Sequence, residues 1–591
     1  MDHSSEVAGR EPQGDISVLI AGEAGDGILF TSNVLAKVLK RHGWEALTCR
    51  DFPSNIRGEP SSTIIRASRR PLLGRPDKVD IILAFDCQRC RQLIHFIRPG
   101  GIVLCEGEEE APCGQHPPAA FSFTRFHMRK EARESFGSEL FKNMIVLGGL
   151  GYLFGLDQTV LDSVITEMFL KKKGRAVVDI NLRAVALGTQ KARELVPEEK
   201  RISLERKPDA GRLILSGDEA IAFGALAAGC RFFAAYPICP ASEIWQWLAL
   251  NFPEFQGLVV QTEDELAALN MALGAAYAGA RAMTSTSGPG GSLMMEAFSL
   301  AGMAEIPVVI AHVQRVGPGT GIPTKTEQSD LTQWVFGAHG DFPRIILAPG
   351  TLQECFDFTV AAFNLAEMYQ CPVVLLTEED MGQNSRTTPD FDLGRVTVDR
   401  GRLLTERDLA GLAEFKRYAI TPDGISPRSL PSQRGGLHMV EGNEHDEKGF
   451  RQEDAVHRVR MTEKRMRKLE TCRKDLPPPR RWGEGGAAIG FVTIGSVLGA
   501  VLEAGEELRR RGHETKTLQI RTLWPFPGQE VSEFLSSCRR AFVVENNFSG
   551  QLHTLVRSQV CPALELKKVL NYSGQPFTPA DIIRAVLGDR A

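Results

Sequence analysis

Long apolar runs are missing from this chain of 591 residues. No stretch approaches the ~18 uninterrupted apolar residues of a membrane-spanning helix, and the opening MDHSSEVAGREPQGD is polar where a secretory signal would be apolar. We expect residues 1–14 to be a disordered N-terminus on a cytoplasmic protein with no membrane partner. An excess of one charge is missing too. Lys and Arg number 69 against 73 Asp and Glu, a formal net charge of -4. Such a balance supplies no field for holding nucleic acid or an anionic surface in general, so a small acidic ligand would need a local site. Paired cysteines are scarce. Of 12 cysteines only Cys87 and Cys90 form a CxxC, and Cys105 and Cys113 follow too loosely to complete a cluster or zinc site. We expect no iron-sulfur cluster and no metal in this chain, only free thiols of a reducing compartment.

The 43% hydrophobic content is enough for several cores, and ~100 to 200 residues per domain predicts three or four of them. From Ile16 the sequence ISVLIAGEAGDGILFTSNVLAKVLKRHG reads as a buried strand, a glycine turn and an amphipathic helix, the opening of an α/β domain. Gly22, Gly25 and Gly27 allow two readings: a backbone cradle for a phosphate at a helix N-terminus, or simply a tight strand-to-helix turn. VDIILAFD and GGIVLCEG are further buried strands, and the glycine-rich KNMIVLGGLGYLFGL is a helix. Together they define a first domain over residues 15–200.

A charged linker leads to a second domain over residues 208–390, in which LVVQT, RAMTSTS, IPVVIAHVQ, RIILA and CPVVLLT alternate with helical stretches. That alternation predicts a parallel, doubly wound sheet with ligands at the carboxyl ends of its strands. Three loops fall there: Tyr236 to Ser242, Ser287 to Gly291 and Arg315 to Thr326. The central stretch is QTEDELAALNMALGAAYAGARAMTSTSGPGG. Thr262 and Asp264 are both eligible helix caps, and small residues after Glu265 would let a partner surface pack closely. Glu265 is then either an ordinary first-turn glutamate or a carboxylate held in an apolar, poorly hydrated seam.

Residues 391–484 read as a connector with one charged, exposed helix, VHRVRMTEKRMRKLETCRK, and residues 485–591 as a small third α/β domain. Glu545, Asn546, Asn547 and Gln551 follow a buried strand of that domain, a place suited to a subunit contact. Glu444 to Glu447 are acidic and basic neighbours in a loop, and adjacent side chains rarely point at one metal.

AYPICPASE, the stretch from Gln261 to Met294, HVQRVGPGTGIPTKTEQSDL, GAHGDFPRI, KRYAITPDGISPR and GNEHDEKG resemble, in that order, the alpha subunit of 2-oxoacid:ferredoxin oxidoreductases, closest to the 2-oxoglutarate type. GEAGDG, IRGEPSSTIIRAS and KNMIVLGGL resemble the gamma component of those enzymes, fused here ahead of alpha. The resemblance implies a gamma-type α/β domain, a pyrimidine-type domain of a thiamine diphosphate enzyme and a C-terminal transketolase-C-like domain. It implies oxidative decarboxylation of a 2-oxoacid to an acyl-CoA, with electrons passed to ferredoxin. Gly25-Asp26-Gly27 with Asn55 is similar to the signature that holds magnesium and the cofactor's diphosphate, but Ser54 and Ile56 stand where a second asparagine is needed. Magnesium and the [4Fe-4S] cluster are therefore expected in a separate beta subunit that shares the thiamine diphosphate.

The resemblance also implies roles. Glu265 matches the cofactor-activating glutamate, whose carboxyl would hydrogen-bond the pyrimidine ring. Arg315 matches the arginine expected at the substrate carboxylate, and Tyr236, Pro237, Cys239, Pro240, Ser242 and Gly288 fall in substrate and cofactor loops. Lys325 is either a second cation for a distal carboxylate or a solvated loop lysine. The departure is Cys239, where the family has threonine: a thiol is a weaker and longer donor, so Cys239→Thr is expected to preserve or raise activity.

Overall fold

A computed structural model describes residues 14–53, 59–107, 121–483 and 487–588; the N-terminal tail before Gly14, Asn55 with its neighbours and Cys113 lie outside the described residues. Two compact units result, one of residues 14–214 with Ser385–Asp390, the other of Leu215–Asn384 with the chain from Phe391 onward. No described helix is long and apolar enough to cross a membrane.

The first unit is built on a mixed sheet. Ser122–Arg125, Ile97–Cys105, Val79–Ala84 and Asp15–Glu23 run parallel, in that spatial order. Pro60–Ser68 then pairs antiparallel with both Asp15–Glu23 and Glu45–Asp51, and Arg386–Thr388 extends the sheet. The strand Val79–Ala84 is buried along its whole length, as expected of a strand covered on both faces, and its one charged residue, Asp80, accepts from the Ser17 N–H at 2.8 Å. Helices Lys142–Leu153 and Arg175–Leu195 cross with their backbones nearly touching. A Cβ on Gly148 would lie 2.0 Å from the Val185 carbonyl oxygen, and one on Gly188 would lie 1.9 Å from that of Ile145, so both positions require glycine. The second of these helices runs into the segment that composition marks as a charged linker.

In the second unit, Thr522–Trp524, Ile345–Leu347, Pro372–Glu378, Val308–Gln314, Ala282–Thr286, Phe232–Ala235 and Leu258–Gln261 form one sheet. All neighbours are parallel except the edge strand Thr522–Trp524, which comes from the C-terminal part of the chain. A second sheet contains Thr515–Gln519, Ile489–Thr493, Arg540–Glu545 and Leu566–Leu570 in parallel, with Arg480–Trp482 antiparallel at its edge. One apolar core joins the two sheets, with Ile310, Ile346 and Val374 from the first and Val492, Leu518 and Val543 from the second. The architecture is α/β in several mixed sheets.

Two expectations are corrected here. The charged helix Ala455–Thr471 is not fully exposed: Met461, Lys464, Arg465 and Lys468 on one face are buried. Lys464 and Lys468 both donate to the buried carboxylate of Glu305, while Arg417 donates to the Glu305 carbonyl oxygen at 2.7 Å. Burial alone would raise the Glu305 carboxyl, but the two lysines and Arg417 outweigh it and hold it well below the usual carboxylate range. Sequence patterning cannot see this, because a lysine stripe looks solvated until a buried acid faces it. Glu444 accepts from Arg458 and Arg465 in the same neighbourhood. The second correction concerns Glu545, Asn546 and Asn547, which are buried and grip the chain itself. The Gln328 N–H donates to the Asn546 carbonyl at 2.6 Å, the Asn547 amide donates to the Gln328 carbonyl at 3.0 Å, and Gln551 accepts from the Thr332 N–H at 2.9 Å.

Candidate active site

The three loops expected to converge do so at the carboxyl ends of strands Phe232–Ala235, Ala282–Thr286 and Val308–Gln314. Asp264 caps the helix Glu265–Tyr277, accepting from the Ala267 N–H at 2.7 Å, an arrangement that contributes about 1 kcal/mol. Thr262, the other eligible cap, donates to the Asp264 carbonyl at 2.8 Å. Capping is thus done by Asp264, and Glu265 is released from it. Glu263 is exposed, whereas Glu265 is only 5% exposed. Burial pushes the Glu265 carboxyl above the usual range, Asp264 adds to the rise, and its own N–H and Arg315 oppose it. No side chain among the described residues donates a hydrogen bond to it.

The glycine loop lies against this carboxylate. A Cβ on Gly290 would lie 2.1 Å from Thr286 Oγ1 and 2.5 Å from Glu265 Oε1, and one on Gly291 would lie 2.9 Å from His312 Cε1. The loop is therefore pressed between Glu265 and Thr286 on one side and His312 and Trp334 on the other. Gly288 adjoins Arg315, whose Nε would be 3.8 Å from an added Cβ.

Arg315 follows the wholly buried strand Val308–Gln314 and is itself buried. It donates to the Cys239 carbonyl at 2.7 Å and to the Thr320 carbonyl at 2.9 Å, so one guanidinium ties two of the loops together. Burial lowers its proton affinity, while Cys239, Asp330 and Glu265 nearby raise it. Thr284, Thr286 and Ser287 hydroxyls and Arg315 Nε are buried with no hydrogen-bond partner among the described residues. Unsatisfied buried polar atoms cost about 1–3 kcal/mol each, so a row of them beside a glycine loop marks a place prepared for a polar ligand.

In the loop before helix Ser242–Asn251, Tyr236 is 41% exposed, Pro237 and Cys239 are half-buried, and Pro240 follows a cis peptide bond and is buried. Ala241 occupies the N-cap position and Ser242 opens the helix. Burial pushes the Cys239 thiol up to about 11, Glu379 adding to the rise and Arg315 opposing it. The Gln383 amide approaches the sulfur at 3.9 Å. Lys325 lies half-buried on the returning arm of the third loop, its carbonyl accepting from the Val316 N–H at 3.0 Å and its stem packed on Gly574.

Sequence reasoning missed His312 and Asp330. His312 is fully buried, its Nε2 lies 2.8 Å from the Asp330 carboxylate, and the Asp330 N–H donates to Gln314 at 3.0 Å. The signal was available: a histidine inside a fully apolar strand must find a polar partner. In the first unit, Gly22, Gly25 and Gly27 surround Asp26, whose carboxylate accepts from the Glu23 N–H at 2.9 Å, Lys142 at 2.7 Å and Arg129 at 2.9 Å. The chain's own carboxylate thus meets both cations beside that turn.

Residues 223–465 match the pyruvate flavodoxin/ferredoxin oxidoreductase family described as thiamine diphosphate binding, residues 17–191 the pyruvate ferredoxin/flavodoxin oxidoreductase family, and residues 487–582 core domain II of pyruvate:ferredoxin oxidoreductase. The alpha subunit of 2-oxoacid:ferredoxin oxidoreductase 2 from Aeropyrum pernix is 32% identical, with 97% of each chain covered. A 2-oxoglutarate synthase subunit, KorA, from Methanothermobacter marburgensis is 36% identical over 63% of this chain and 98% of its own length. Among solved structures, the 2-oxoglutarate:ferredoxin oxidoreductase from Magnetococcus marinus, with 2-oxoglutarate, coenzyme A and succinyl-CoA bound, matches at a TM-score of 0.91 and 33% identity, covering 98% of this chain and 99% of that one. With its fused gamma-type and alpha-type regions and its thiamine diphosphate-binding domain, this chain belongs to the alpha subunits of the 2-oxoacid:ferredoxin oxidoreductases.

Proposed function

We propose that the chain supplies the pyrimidine side of a thiamine diphosphate site, is completed by a beta subunit, and converts 2-oxoglutarate to succinyl-CoA and CO2 while reducing ferredoxin. The observation that carries this reading is the buried Glu265 carboxyl with raised proton affinity, set with the unpartnered Thr286 hydroxyl against Gly290. When bound, thiamine diphosphate supplies the carbon nucleophile and electron sink that decarboxylation of a 2-oxoacid needs. The residues present fit its aminopyrimidine. Glu265 would hold a proton at Oε against a ring nitrogen, and Gly290 leaves the face of the ring unobstructed. Thr286 and Ser287 have hydroxyls to spare for polar ring atoms. Arg315, fixed by two carbonyls, would keep its free Nε edge for a substrate carboxylate. Lys325 would serve the distal carboxylate of a dicarboxylic substrate. The choice of 2-oxoglutarate is supported by the two relatives named for it. Magnesium, the [4Fe-4S] cluster and the diphosphate cradle belong to the beta subunit in this proposal. Domain limits follow the same reading: residues 15–200 gamma-type, 208–390 pyrimidine-binding, 391–484 connector, 485–591 C-terminal.

The test is co-expression with a beta subunit and a panel of 2-oxoacids, read as CoA-dependent reduction of ferredoxin or a dye. 2-Oxoglutarate should give the highest kcat/KM. Glu265→Gln should lower turnover by about 10²- to 10⁴-fold in an intact assembly. Full turnover by that variant would remove the assigned role, and reaction with pyruvate alone would redirect the substrate.

A further inference from the structure

The first unit holds a group of thiols that the proposed reaction does not use. Cys87 opens the helix after strand Val79–Ala84, and Cys105 ends the neighbouring parallel strand Ile97–Cys105, so the sheet brings both to the same end. Their sulfurs are 3.3 Å apart and both approach the Glu106 carbonyl oxygen, each at 3.3 Å. Cys90, one helical turn from Cys87, is buried in the same apolar cluster as Cys87 and Cys105. Cys90 and Cys105 are fully buried, whereas Cys87 keeps 7% exposure beside Gly107, whose added Cβ would lie 3.1 Å from the Cys87 sulfur. The described residues contain no group of three or more His, Cys, Asp or Glu side chains placed to share a metal ion. The contact is sulfur to sulfur, and it exceeds a disulfide bond length by only roughly 1.3 Å.

We propose that Cys87 and Cys105 form a reversible disulfide when the protein meets a hydroperoxide, with Cys90 as the thiol that can exchange into it. The hydroperoxide oxidises the Cys87 thiol to a sulfenic acid and is itself reduced to the alcohol or, for hydrogen peroxide, to water. The Cys105 sulfur then attacks the Cys87 sulfur; the S–S bond forms, the S–O bond breaks, and the hydroxyl leaves with the Cys105 proton as water. Cys90 can next attack Cys105, expelling Cys87 as a thiol. The bond would be felt at the glycine turn: the Glu106 carboxylate accepts the Arg129 N–H at 2.8 Å, and Arg129 holds Asp26 between Gly25 and Gly27. The nearby Cys90 thiol and burial keep Cys105 protonated at neutral pH, so oxidation should trail that of the exposed Cys561.

The full chain, carrying Cys113→Ser because a single tryptic peptide contains both Cys105 and Cys113, is treated with hydrogen peroxide, alkylated and digested without reduction. Trypsin cuts at Arg89, which separates Cys87 from Cys90. The expected product is a Cys87 to Cys105 linked peptide that disappears on adding dithiothreitol, is absent from a urea-unfolded sample's dominant products, and is lost in Cys87→Ser. In Cys87→Ser the remaining link should be Cys90 to Cys105 or none. Equal alkylation of Cys87 and Cys105 before and after peroxide, in a sample whose Cys561 has been consumed, overturns the proposal. So does irreversible loss of those thiols without a link.

Discussion

Gly290→Ala tests the geometry of the site more sharply than removal of any charged group. The new Cβ would stand 2.5 Å from Glu265 Oε1 and 2.1 Å from Thr286 Oγ1, against an ordinary contact that begins at 3.4 Å. Relief requires the carboxylate to withdraw by about 0.9 Å and the hydroxyl by about 1.3 Å. Both groups are buried in a close-packed seam, so the insertion costs about 1–3 kcal/mol of stability. Displacement of a positioned group by about 1 Å lowers turnover by roughly 10²-fold. The assay is CoA-dependent dye reduction with the beta subunit present, alongside circular dichroism and urea unfolding to show that the variant is folded. Gly274→Ala is the control: it lies on the exposed side of the helix that Glu265 opens, nothing lies within 4 Å of its added Cβ, and alanine there should stabilise by about 0.5–1 kcal/mol. Turnover of Gly290→Ala within twofold of wild type, with an unchanged unfolding midpoint, would refute the placement of Glu265 against the loop.

Two further outcomes follow from buried groups near the site. Burial pushes the Glu378 carboxyl up from 4.5 to about 7, although the Ser496 N–H donates to it and opposes the rise. A raised acid stabilises fully below its ordinary range and loses that contribution as pH rises through 7, since ionising it in place is penalised. Relative to Glu378→Gln, the wild-type chain should lose about 3 kcal/mol between pH 4.5 and pH 8, measured by urea midpoints. A difference that does not vary with pH would count against it. Cys239→Thr should keep or raise kcat, because a hydroxyl replaces a thiol held protonated by burial up to about 11. A large fall in turnover of correctly assembled enzyme would show that the thiol itself is needed.

Much of the fold was legible because alternation of apolar strands and helices is a local pattern. The parallel strands Ala282–Thr286, Val308–Gln314 and Pro372–Glu378, the glycine stop after helix Gly217–Ala227 and the convergence of three loops all follow from it. The antiparallel insertion of Pro60–Ser68 between two other strands was not legible, nor was the addition of Thr522–Trp524 to a sheet formed some two hundred residues earlier. Strand pairing is a long-range choice made by which apolar faces can be covered together.

The same division runs through the site. By itself the sequence determined the residue types and their order: two eligible caps, two glutamates, a glycine loop, an arginine after a buried strand, and a cysteine in place of threonine. Only tertiary structure decided between the two readings of Glu265. Asp264 takes the capping bonds, Gly290 lets Thr286 close over the helix start, and the glutamate is left in a seam where water is scarce and its proton is held more tightly. It also decided that Lys464 and Lys468 turn inward, that Asn546 and Asn547 grip their own chain, and that Cys105 meets Cys87. Spacing along the chain specifies which groups are available. Burial, which sets the strength of every charge and the need of every polar atom for a partner, exists only once the chain has folded.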